Sequence, residues 1–397
     1  MTPPLQGVRV LDLTNVLAGP FCCHQLAHLG AEVVKVEAPG RGDLARTLGG
    51  DEALNAAGMG ASFLAQNAGK RSIAVDFKTE AGRETLRRLV RAADVLVENF
   101  RPGVMRRLGL GPEALRVENP RLIYCAISGF GQTGPWIERP AYDQIVQGAA
   151  GVMSVTGDPD GPPTRAGYPV ADTAGGLTAA MAICAALNAR PRGCVLDVSM
   201  LEATLATLGW AVSEHLVCGE EPRRRGNDNV TASPSGAFET ADGLLNIAAN
   251  KDDQWRALCG HLEREDLLDH PDYADRALRK KNRAPLKAAL EETLRARPAR
   301  EWEAELNALS VPAGAVLTVP QILAEPQLQG RGFLETFEDV PGVDRPVSIA
   351  GIGVKIDGQA PRVAAPPPAL DQHGEEILAE LGFSPEEIAA LRPERGS

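Results

Sequence analysis

The chain has 397 residues, of which 44 % are hydrophobic and 23 % charged, so it can bury a core large enough for two domains. Its formal net charge of −11 argues against a general nucleic-acid-binding protein, which would carry a basic face. The seven cysteines are odd in number and irregularly spaced, which favours reduced thiols over a disulfide framework.

Targeting signals are not evident in the sequence. The first residues, MTPPLQGVRVLDLT, contain neither the basic stretch nor the apolar segment that is typical of a signal peptide. No uninterrupted run of about 18 apolar residues follows. We therefore expect a cytoplasmic protein without a membrane span.

The first 130 residues alternate between strand-like and helix-like segments. Nearly continuous apolar runs predict five strands: VRVLDLT (8–14), AEVVKVEAP (31–39), SIAVDFK (72–78), DVLVENF (94–100) and RLIYCAISGF (121–130). Helical spacing is found at 20–30 and at 79–93, where Thr79 is the predicted N-cap. Strands that alternate with helices predict a parallel sheet that helices cover on both faces.

The pattern changes in the second half of the chain. Helical spacing returns at about 142–153 and 173–188, and GCVLDVSM (193–200) predicts a sixth strand. Polar, turn-forming residues at 219–234 indicate a junction between domains. Beyond it, GAFETADGLLNIAAN (236–250) predicts two strands around a turn at Asp242–Gly243, and charged helices follow.

Three familiar motifs are present only in incomplete form. Gly129–Gly134 matches GxGxxG after the fifth strand, but prolines follow where a helix should open, which favours a glycine-rich turn near a ligand over a dinucleotide site. His24 and His28 have zinc-ligand spacing, yet the other histidines are scattered, so packed or surface histidines are favoured and no metal is expected. No GxSxG elbow supports a serine hydrolase, and no cysteine stands out as a nucleophile.

Basic residues accumulate near the predicted ends of the third and fourth strands: Lys70, Arg71, Lys78, Arg101, Arg106 and Arg107. Ligands of open α/β sheets bind beyond the carboxyl ends of the strands, where cations suit phosphate groups. A solvated helix face would explain the same pattern equally well.

Asp172 stands in AGYPVADTAGG (166–176), directly before a long alanine-rich segment. An aspartate at such a place is an ordinary helix N-cap, because its carboxylate accepts a bond from a free N–H group of the first turn. The local pattern leaves open whether Asp172 also takes part in chemistry.

A series of longer motifs extends over essentially the whole chain. In order, they are residues 7–46, NAGKRSIAVDFK (67–78), ADVLVENFRPGVMRRLGL (93–110), NPRLIYCAISGFGQTGP (119–135), residues 141–176, VLDVSMLEATL (195–205), residues 311–333 and PPPALDQHGEEILAELG (366–382). Together they resemble the class III CoA-transferases, the CaiB/BaiF family.

This resemblance implies an α/β fold with two domains. A Rossmann-like large domain with a parallel sheet would combine the N- and C-terminal segments, residues 1–224 and 321–397. A smaller α+β domain would comprise residues 225–320. The resemblance also implies an interlocked homodimer.

The resemblance implies that CoA moves from an acyl-CoA thioester, such as succinyl-CoA, to a small carboxylic acid. Asp172 matches the family's catalytic aspartate, with capping as a compatible second role. We expect the adjoining helix N-terminus to favour its ionised form, and Gly175 and Gly176 to permit close approach. CoA would be substrate and product, with no permanently bound cofactor.

The family pattern also assigns residues to CoA. They are Val16, Leu17, Ala18, Val75, Lys78, Asn99, Phe100, Arg101, Arg107, Tyr142 and Met200. One departure is Ala38, where some members place a basic residue; Arg41 and Arg46 are the candidate substitutes.

Two further departures bear on the reaction. The racemase branch has a histidine where this chain has Tyr142, and neutral tyrosine is a poor base near pH 7. We therefore favour a transferase over an α-methylacyl-CoA racemase or a non-catalytic CoA-binding protein. NDNVTASPSGAFET (227–240) lacks the glycine run of formyl-CoA transferases, so we expect a small dicarboxylate other than oxalate as acceptor.

Overall fold

The computed structural model describes residues 2–392 and divides the chain into two compact units. The larger unit combines residues up to Met153 with Arg165–Glu220 and the chain from Gln327 onward. The smaller unit combines Ser154–Thr164 with Glu221–Pro326. The N- and C-terminal segments therefore belong to the same unit.

The larger unit is built on a six-stranded sheet in the order β3-β2-β1-β4-β5-β6, and every pairing in it is parallel. Its strands are β1 (Arg9–Asp12), β2 (Glu32–Glu37), β3 (Lys70–Ala74), β4 (Val95–Glu98), β5 (Ile123–Ser128) and β6 (Cys194–Ser199). All of them precede residue 200. The strand order reverses between β1 and β4, which makes this the point where ligands of doubly wound sheets bind.

The six strands confirm the α/β prediction, because apolar runs buried on both faces are the strongest signal of a parallel sheet. The third strand differs in its bounds: it begins at Lys70 and ends at Ala74, whereas 72–78 was expected. Lys70 can open a buried strand because its ammonium group bonds to the Asp12 carboxylate at 2.8 Å.

The helices cover both faces of the sheet and fill the smaller unit. In chain order they are α1 (Ala18–His28), α2 (Glu52–Ala56), α3 (Ala61–Asn67), α4 (Glu80–Arg91), α5 (Val104–Arg107), α6 (Pro112–Glu118), α7 (Asp143–Ala149), α8 (Val152–Val155), α9 (Val170–Asn188), α10 (Met200–Thr207), α11 (Gly209–Cys218), α12 (Asp252–His261), α13 (Glu265–Leu268), α14 (Arg276–Lys281), α15 (Arg283–Leu294), α16 (Ala299–Ala308), α17 (Val319–Ala324), α18 (Pro326–Arg331), α19 (Gly374–Glu380) and α20 (Pro385–Leu391). Thr79 caps α4, as predicted, by accepting a bond from the Gly82 N–H group.

The smaller unit contains a three-stranded antiparallel sheet of β7 (Ser235–Glu239), β8 (Leu244–Ala248) and β9 (Ala313–Ala315). The first two strands form the predicted hairpin around Asp242–Gly243. Trp255, Leu290 and Trp302 from the surrounding helices complete its core.

The C-terminal segment joins the larger unit through a hairpin and two helices. Strands β10 (Leu334–Phe337) and β11 (Val347–Ala350) pair antiparallel to each other. Ile377 and Leu378 of α19 are buried in the same core as Leu11 and Leu96 of the parallel sheet.

Helix α9 is, within residues 2–392, the one helix whose length of 19 residues and hydropathy would also suit a membrane span. Its buried side chains, among them Ala171, Ala179 and Ile183, lie in the hydrophobic core that α1 and the sheet share. Core helices commonly have this composition, so its apolar character follows from its place beside the sheet.

Candidate active site

Asp172 lies in the first turn of α9, not at its N-cap. The helix begins at Val170, and its N-cap residue is Pro169, which makes no side-chain capping bond. Instead, the Asp143 carboxylate at the start of α7 accepts bonds from the N–H groups of Ala171 at 2.9 Å and Asp172 at 3.4 Å. The N-cap prediction is therefore wrong, because a carboxylate distant in sequence satisfies this helix start.

Asp143 is held in place by Gln147, one turn along α7 and fully buried. The Gln147 side-chain N–H group donates to Asp143 Oδ2 at 2.7 Å, while its carbonyl oxygen accepts from the Ala166 N–H group at 2.9 Å. These bonds fix the Asp143 carboxylate against the start of α9.

The Asp172 carboxyl group has no ion pair and no side-chain hydrogen bond among residues 2–392. Burial, and next the negative charge of Asp143, raise the pKa of Asp172 to about 7. We had expected the helix N-terminus to favour ionisation. That expectation is wrong in direction, because burial disfavours the charged carboxylate and the Asp143 carboxylate, which accepts the nearby N–H groups, adds a repulsive charge.

Two glycines let α9 pack closely against its neighbours. A Cβ atom on Gly176 would lie 2.6 Å from the Ala18 carbonyl oxygen, and one on Gly175 would lie 2.8 Å from Met200 Cγ. The first contact brings the helix that carries Asp172 directly against the start of α1. The expected close approach is therefore found, and it is between protein segments.

The segment after β1 lies at the point where the strand order reverses. The Asn99 side chain, after β4, accepts a bond from the Asn15 N–H group and donates one to the Asn15 carbonyl, each at 2.8 Å. Val16 follows in the left-handed region with a φ of 67°, and its N–H group donates to Asp43 at 2.9 Å.

A buried group of paired charges lies beneath this segment. Lys35 bonds to Asp43 Oδ2 at 2.9 Å and to the Thr14 carbonyl at 3.0 Å, and Lys70 bonds to Asp12 at 2.8 Å. Burial alone would raise the pKa of Asp12, but the charges of Lys35 and Lys70 outweigh it and hold that pKa below its ordinary value.

The predicted basic cluster divides into two groups. Lys70 is buried at the amino end of β3, and Arg71 pairs with glutamates 32, 376 and 380, so neither is free to meet phosphate at the carboxyl edge. Arg106 pairs with Glu113. The remaining three cations are exposed and make no ion pair within the described part of the chain: Lys78, Arg101 and Arg107.

The other residues assigned to CoA have different environments. Leu17 precedes α1 and Ala18 opens it, Val75 is buried just after β3, Phe100 is half-buried after β4, and Met200 is buried at the start of α10. Tyr142 is exposed just before α7. As for the substitutes for a cation at Ala38, Arg41 is exposed, whereas Arg46 is buried and bonded to Glu37 at 2.7 Å.

The incomplete motifs have structural roles. No helix follows Gly129–Gly134, and the Gln132 N–H group bonds to both Asp197 carboxylate oxygens at 3.0 Å. The ring nitrogens of His24 and His28 lie 3.2 Å apart, and both side chains are buried. Within residues 2–392, no three His, Cys, Asp or Glu side chains are grouped to hold a metal.

Sequence reasoning missed Asp143, Asp43 and Glu98. Glu98, at the end of β4, accepts bonds from the Phe100 N–H group and the Tyr124 hydroxyl. Burial raises the pKa of Glu98 to about 7, although both bonds act against that rise. A carboxylate that interrupts an apolar run is the one sequence signal that could have identified Glu98.

The fold and site define an α/β protein whose partly buried aspartate stands beside the ligand-binding edge of a doubly wound sheet. The sequence model of CoA-transferase family III matches residues 5–374. The chain is 40% identical to the succinate–glutarate CoA-transferase of Agrobacterium fabrum, over 96% of each chain. It is also 40% identical to the acetyl-CoA:oxalate CoA-transferase of Acetobacter aceti, over 95% of this chain and 96% of the other.

Solved structures agree with these sequence matches. A CaiB/BaiF family protein from Brucella suis superposes with a TM-score of 0.85 at 36% identity, over 96% of this chain and 100% of the other. Rv3272 from Mycobacterium tuberculosis superposes with a TM-score of 0.83 at 33% identity, over 95% of this chain and 99% of the other. The chain belongs to CoA-transferase family III, the CaiB/BaiF family, and is a CoA-transferase.

Proposed function

We propose that this enzyme moves CoA from an acyl-CoA thioester, such as succinyl-CoA, to a small dicarboxylic acid, with Asp172 as the covalent nucleophile. The observation that carries the proposal is the state of the Asp172 carboxyl group: partly buried, without a cation, and free of hydrogen bonds within residues 2–392. Such a carboxylate is poorly solvated and correspondingly reactive.

The first half-reaction begins when an Asp172 carboxylate oxygen attacks the thioester carbonyl carbon. The C–S bond breaks, and CoA leaves as a thiolate while a mixed anhydride forms between Asp172 and the acyl group. The thiolate then attacks the Asp172 carboxyl carbon. The anhydride C–O bond breaks, the donor acid leaves as its carboxylate, and an Asp172–CoA thioester remains.

The second half-reaction runs the same steps in reverse with the acceptor. The acceptor carboxylate attacks the Asp172–CoA thioester, which releases the thiolate and forms a new mixed anhydride. The thiolate attacks the acceptor's carbonyl carbon, and Asp172 leaves as a carboxylate. No water and no net proton are consumed, so the site must exclude water to conserve the acyl energy.

The position of the CoA substrate is inferred from the carboxyl edge of the sheet. Lys78, Arg101 and Arg107 follow β3 and β4 as exposed cations without ion pairs in the described chain, which suits the phosphate groups of CoA. Ala18, which follows Val16 and Leu17 in the chain, lies against the helix that carries Asp172. CoA bound along this edge would bring its thioester toward Asp172.

The acceptor is a small dicarboxylate. Relatives are named for transfer between succinate and glutarate, to mesaconate and to oxalate. The absence of a glycine run at 227–240 argues against oxalate as the acceptor. However, the relative named for oxalate is as similar to this chain as the relative named for glutarate, each at 40% identity. Oxalate therefore belongs in the acceptor panel with glutarate, mesaconate, malate, citramalate and itaconate.

We also propose a homodimer, interlocked as the resemblance implies. Helix α11 has no buried side chain, and Trp210 and Val217 are 84% and 83% exposed. Large apolar side chains exposed to this degree favour a role in a protein interface. Sedimentation at micromolar concentration should give twice the chain mass, and a monomer would contradict the proposal.

The mechanism is tested by intact-mass spectrometry after incubation with succinyl-CoA, followed by trapping with hydroxylamine or borohydride. We expect an adduct on a peptide that contains Asp172, and none in Asp172→Ala. Asp160→Ala is the matched control, because Asp160 is an exposed carboxylate in a loop that precedes Asp172 in the sequence.

The proposal would be wrong if no adduct formed with any acyl-CoA of a panel. Exchange of an α-proton with heavy water, together with no need for an acceptor acid, would instead establish a racemase. Binding of CoA without turnover of any kind would establish a non-catalytic CoA-binding protein.

A further inference from the structure

Val16 has a backbone conformation that valine strongly disfavours. Its φ of 67° lies in the left-handed region, where a β-branched side chain crowds the backbone. A residue keeps such a conformation only if neighbouring groups hold it there. The segment that contains Val16 therefore stores strain at the turn between β1 and α1.

The groups that hold the segment are three side chains that lie in or after two strands, β2 and β4. Asp43, after β2, accepts the Val16 N–H group at 2.9 Å and is itself held by Lys35 at 2.9 Å. Lys35 also bonds to the Thr14 carbonyl at 3.0 Å. Asn99 takes both polar groups of the Asn15 backbone at 2.8 Å.

These contacts engage the polar atoms of two side chains, Asn99 and Asp43, with other parts of the protein. Both polar atoms of the Asn99 amide bond to Asn15, although the family pattern assigns Asn99 to CoA. Asp43 is 1% exposed and negatively charged, so it would repel CoA phosphates if it met them. Asn99 contacts the Asn15 backbone, and Asp43 contacts the Val16 backbone and the Lys35 ammonium group.

We propose that Asp43 and Asn99 are positioning residues that hold Val16 in its left-handed conformation and so shape the surface that receives CoA. The proposal rests on the proposed function, because it takes Val16–Ala18 as part of the CoA site. It assigns Asn99 the role of holding the Asn15 backbone next to Val16.

The test is a double-mutant cycle that uses glycine to remove the strain. Glycine adopts a positive φ without steric cost, so the Val16→Gly background has little need of Asp43. The dissociation constant of free CoA is measured by calorimetry for Asp43→Asn in both backgrounds. We expect a rise of about tenfold with Val16 present and less than about threefold in the Val16→Gly background.

Two control variants and one alternative variant separate positioning from general damage. Asp94→Asn makes the same chemical change at the amino end of β1, where Asp94 bonds to Arg9 and Arg192, and should change CoA affinity less than about twofold. Asn99→Ala provides a second route if Asp43→Asn does not fold, with the same dependence on the background. Val8→Gly, at a half-buried valine outside the left-handed region, should lower the melting temperature more than Val16→Gly does.

Each outcome has one meaning. Equal losses of CoA affinity in the two backgrounds would overturn the positioning role and leave the proposed function standing, because the unmutated protein still binds CoA. A protein that binds neither CoA nor acyl-CoA would overturn the proposed function and this inference together.

Discussion

Two carboxylates of the larger unit are withdrawn from water in opposite ways. Asp12, at the end of β1, is fully buried between Lys35 and Lys70, and its pKa is held below the ordinary value. Asp172, in the first turn of α9, meets the negative charge of Asp143 and no cation within residues 2–392, so its pKa rises to about 7. Both carboxyl groups are removed from water, and the charge of the neighbouring side chains decides whether the pKa falls or rises.

The difference separates structure from chemistry. A carboxylate that is paired with two ammonium groups is stable in its charged form and unreactive. If one partner is removed, the buried charge is no longer compensated for the cost of its desolvation. A carboxylate without a cation is costly when ionised, and attack on a thioester releases that cost. The same side chain therefore serves the fold at one end of the sheet and the proposed chemistry beside it.

The largest expected effect is that of Asp172→Asn. Transfer activity should fall by at least about 10³-fold, because the amide cannot form the anhydride. The free energy of unfolding at pH 8 should rise by about 1–2 kcal/mol, since a carboxyl group with a folded pKa above its unfolded value destabilises the protein when ionised. Acceptor-dependent turnover and urea denaturation measure the two effects; unchanged turnover would contradict the assignment.

Lys70→Met tests the paired carboxylate from the other side. Lys35 would be the only cation left beside Asp12, and its ammonium nitrogen lies 3.8 Å away. We therefore expect the free energy of unfolding to fall by about 3–5 kcal/mol. Urea denaturation measures this loss. Arg71→Met is the matched control in the same strand: its ion pairs are partly exposed, and it should cost about 1 kcal/mol or less. Equal losses would show that the buried pair has no special role.

Glu98→Gln extends the comparison to a third carboxyl group, which is buried and, like Asp172, has no cation beside it within residues 2–392. Between the unfolded pKa of 4.5 and the folded pKa of about 7, the unfolded state releases the Glu98 proton first, so wild-type stability falls as pH rises. The substitution should therefore be nearly neutral at pH 5 and stabilising by about 2 kcal/mol at pH 8. Denaturant midpoints of wild type and variant at both pH values measure this difference. A gain in stability at pH 5 and none at pH 8 would contradict the predicted pH dependence.

Asp143→Asn should have the smallest effect and the most specific one. An amide keeps an oxygen for the Ala171 N–H group but removes the charge that raises the pKa of Asp172. The acidic limb of kcat/KM should move to lower pH by about 0.5–1 unit. The pH profile measures the shift, and the melting temperature serves as a control, because the bond from Gln147 is also weakened. An unmoved limb would mean that burial alone sets the Asp172 pKa.

The sheet could be predicted from the sequence because its strands are buried on both faces. Segments such as LIYCAI (122–127) are apolar without interruption, and this pattern does not depend on the rest of the chain. Lys70 was misplaced for the opposite reason. A lysine in a sequence suggests an exposed cation, and its burial depends on Asp12, which lies 58 residues away.

The site was predicted less completely than the sheet. Asp172 was identified through the family resemblance, whereas its local pattern suggested an N-cap, and the true acceptor is Asp143 on another helix. The left-handed Val16 could not have been predicted, because valine disfavours that conformation and only the assembled contacts of Asp43 impose it.

The contact between Gly176 and the Ala18 carbonyl has a consequence for redesign of substrate choice. Since a single added methyl group at position 176 would overlap backbone, directed-evolution libraries that vary this position should yield few folded members. Substitutions intended to change acceptor preference therefore belong at positions outside this contact. The start of α9 is thus a closely packed part of the fold that tolerates little change at position 176.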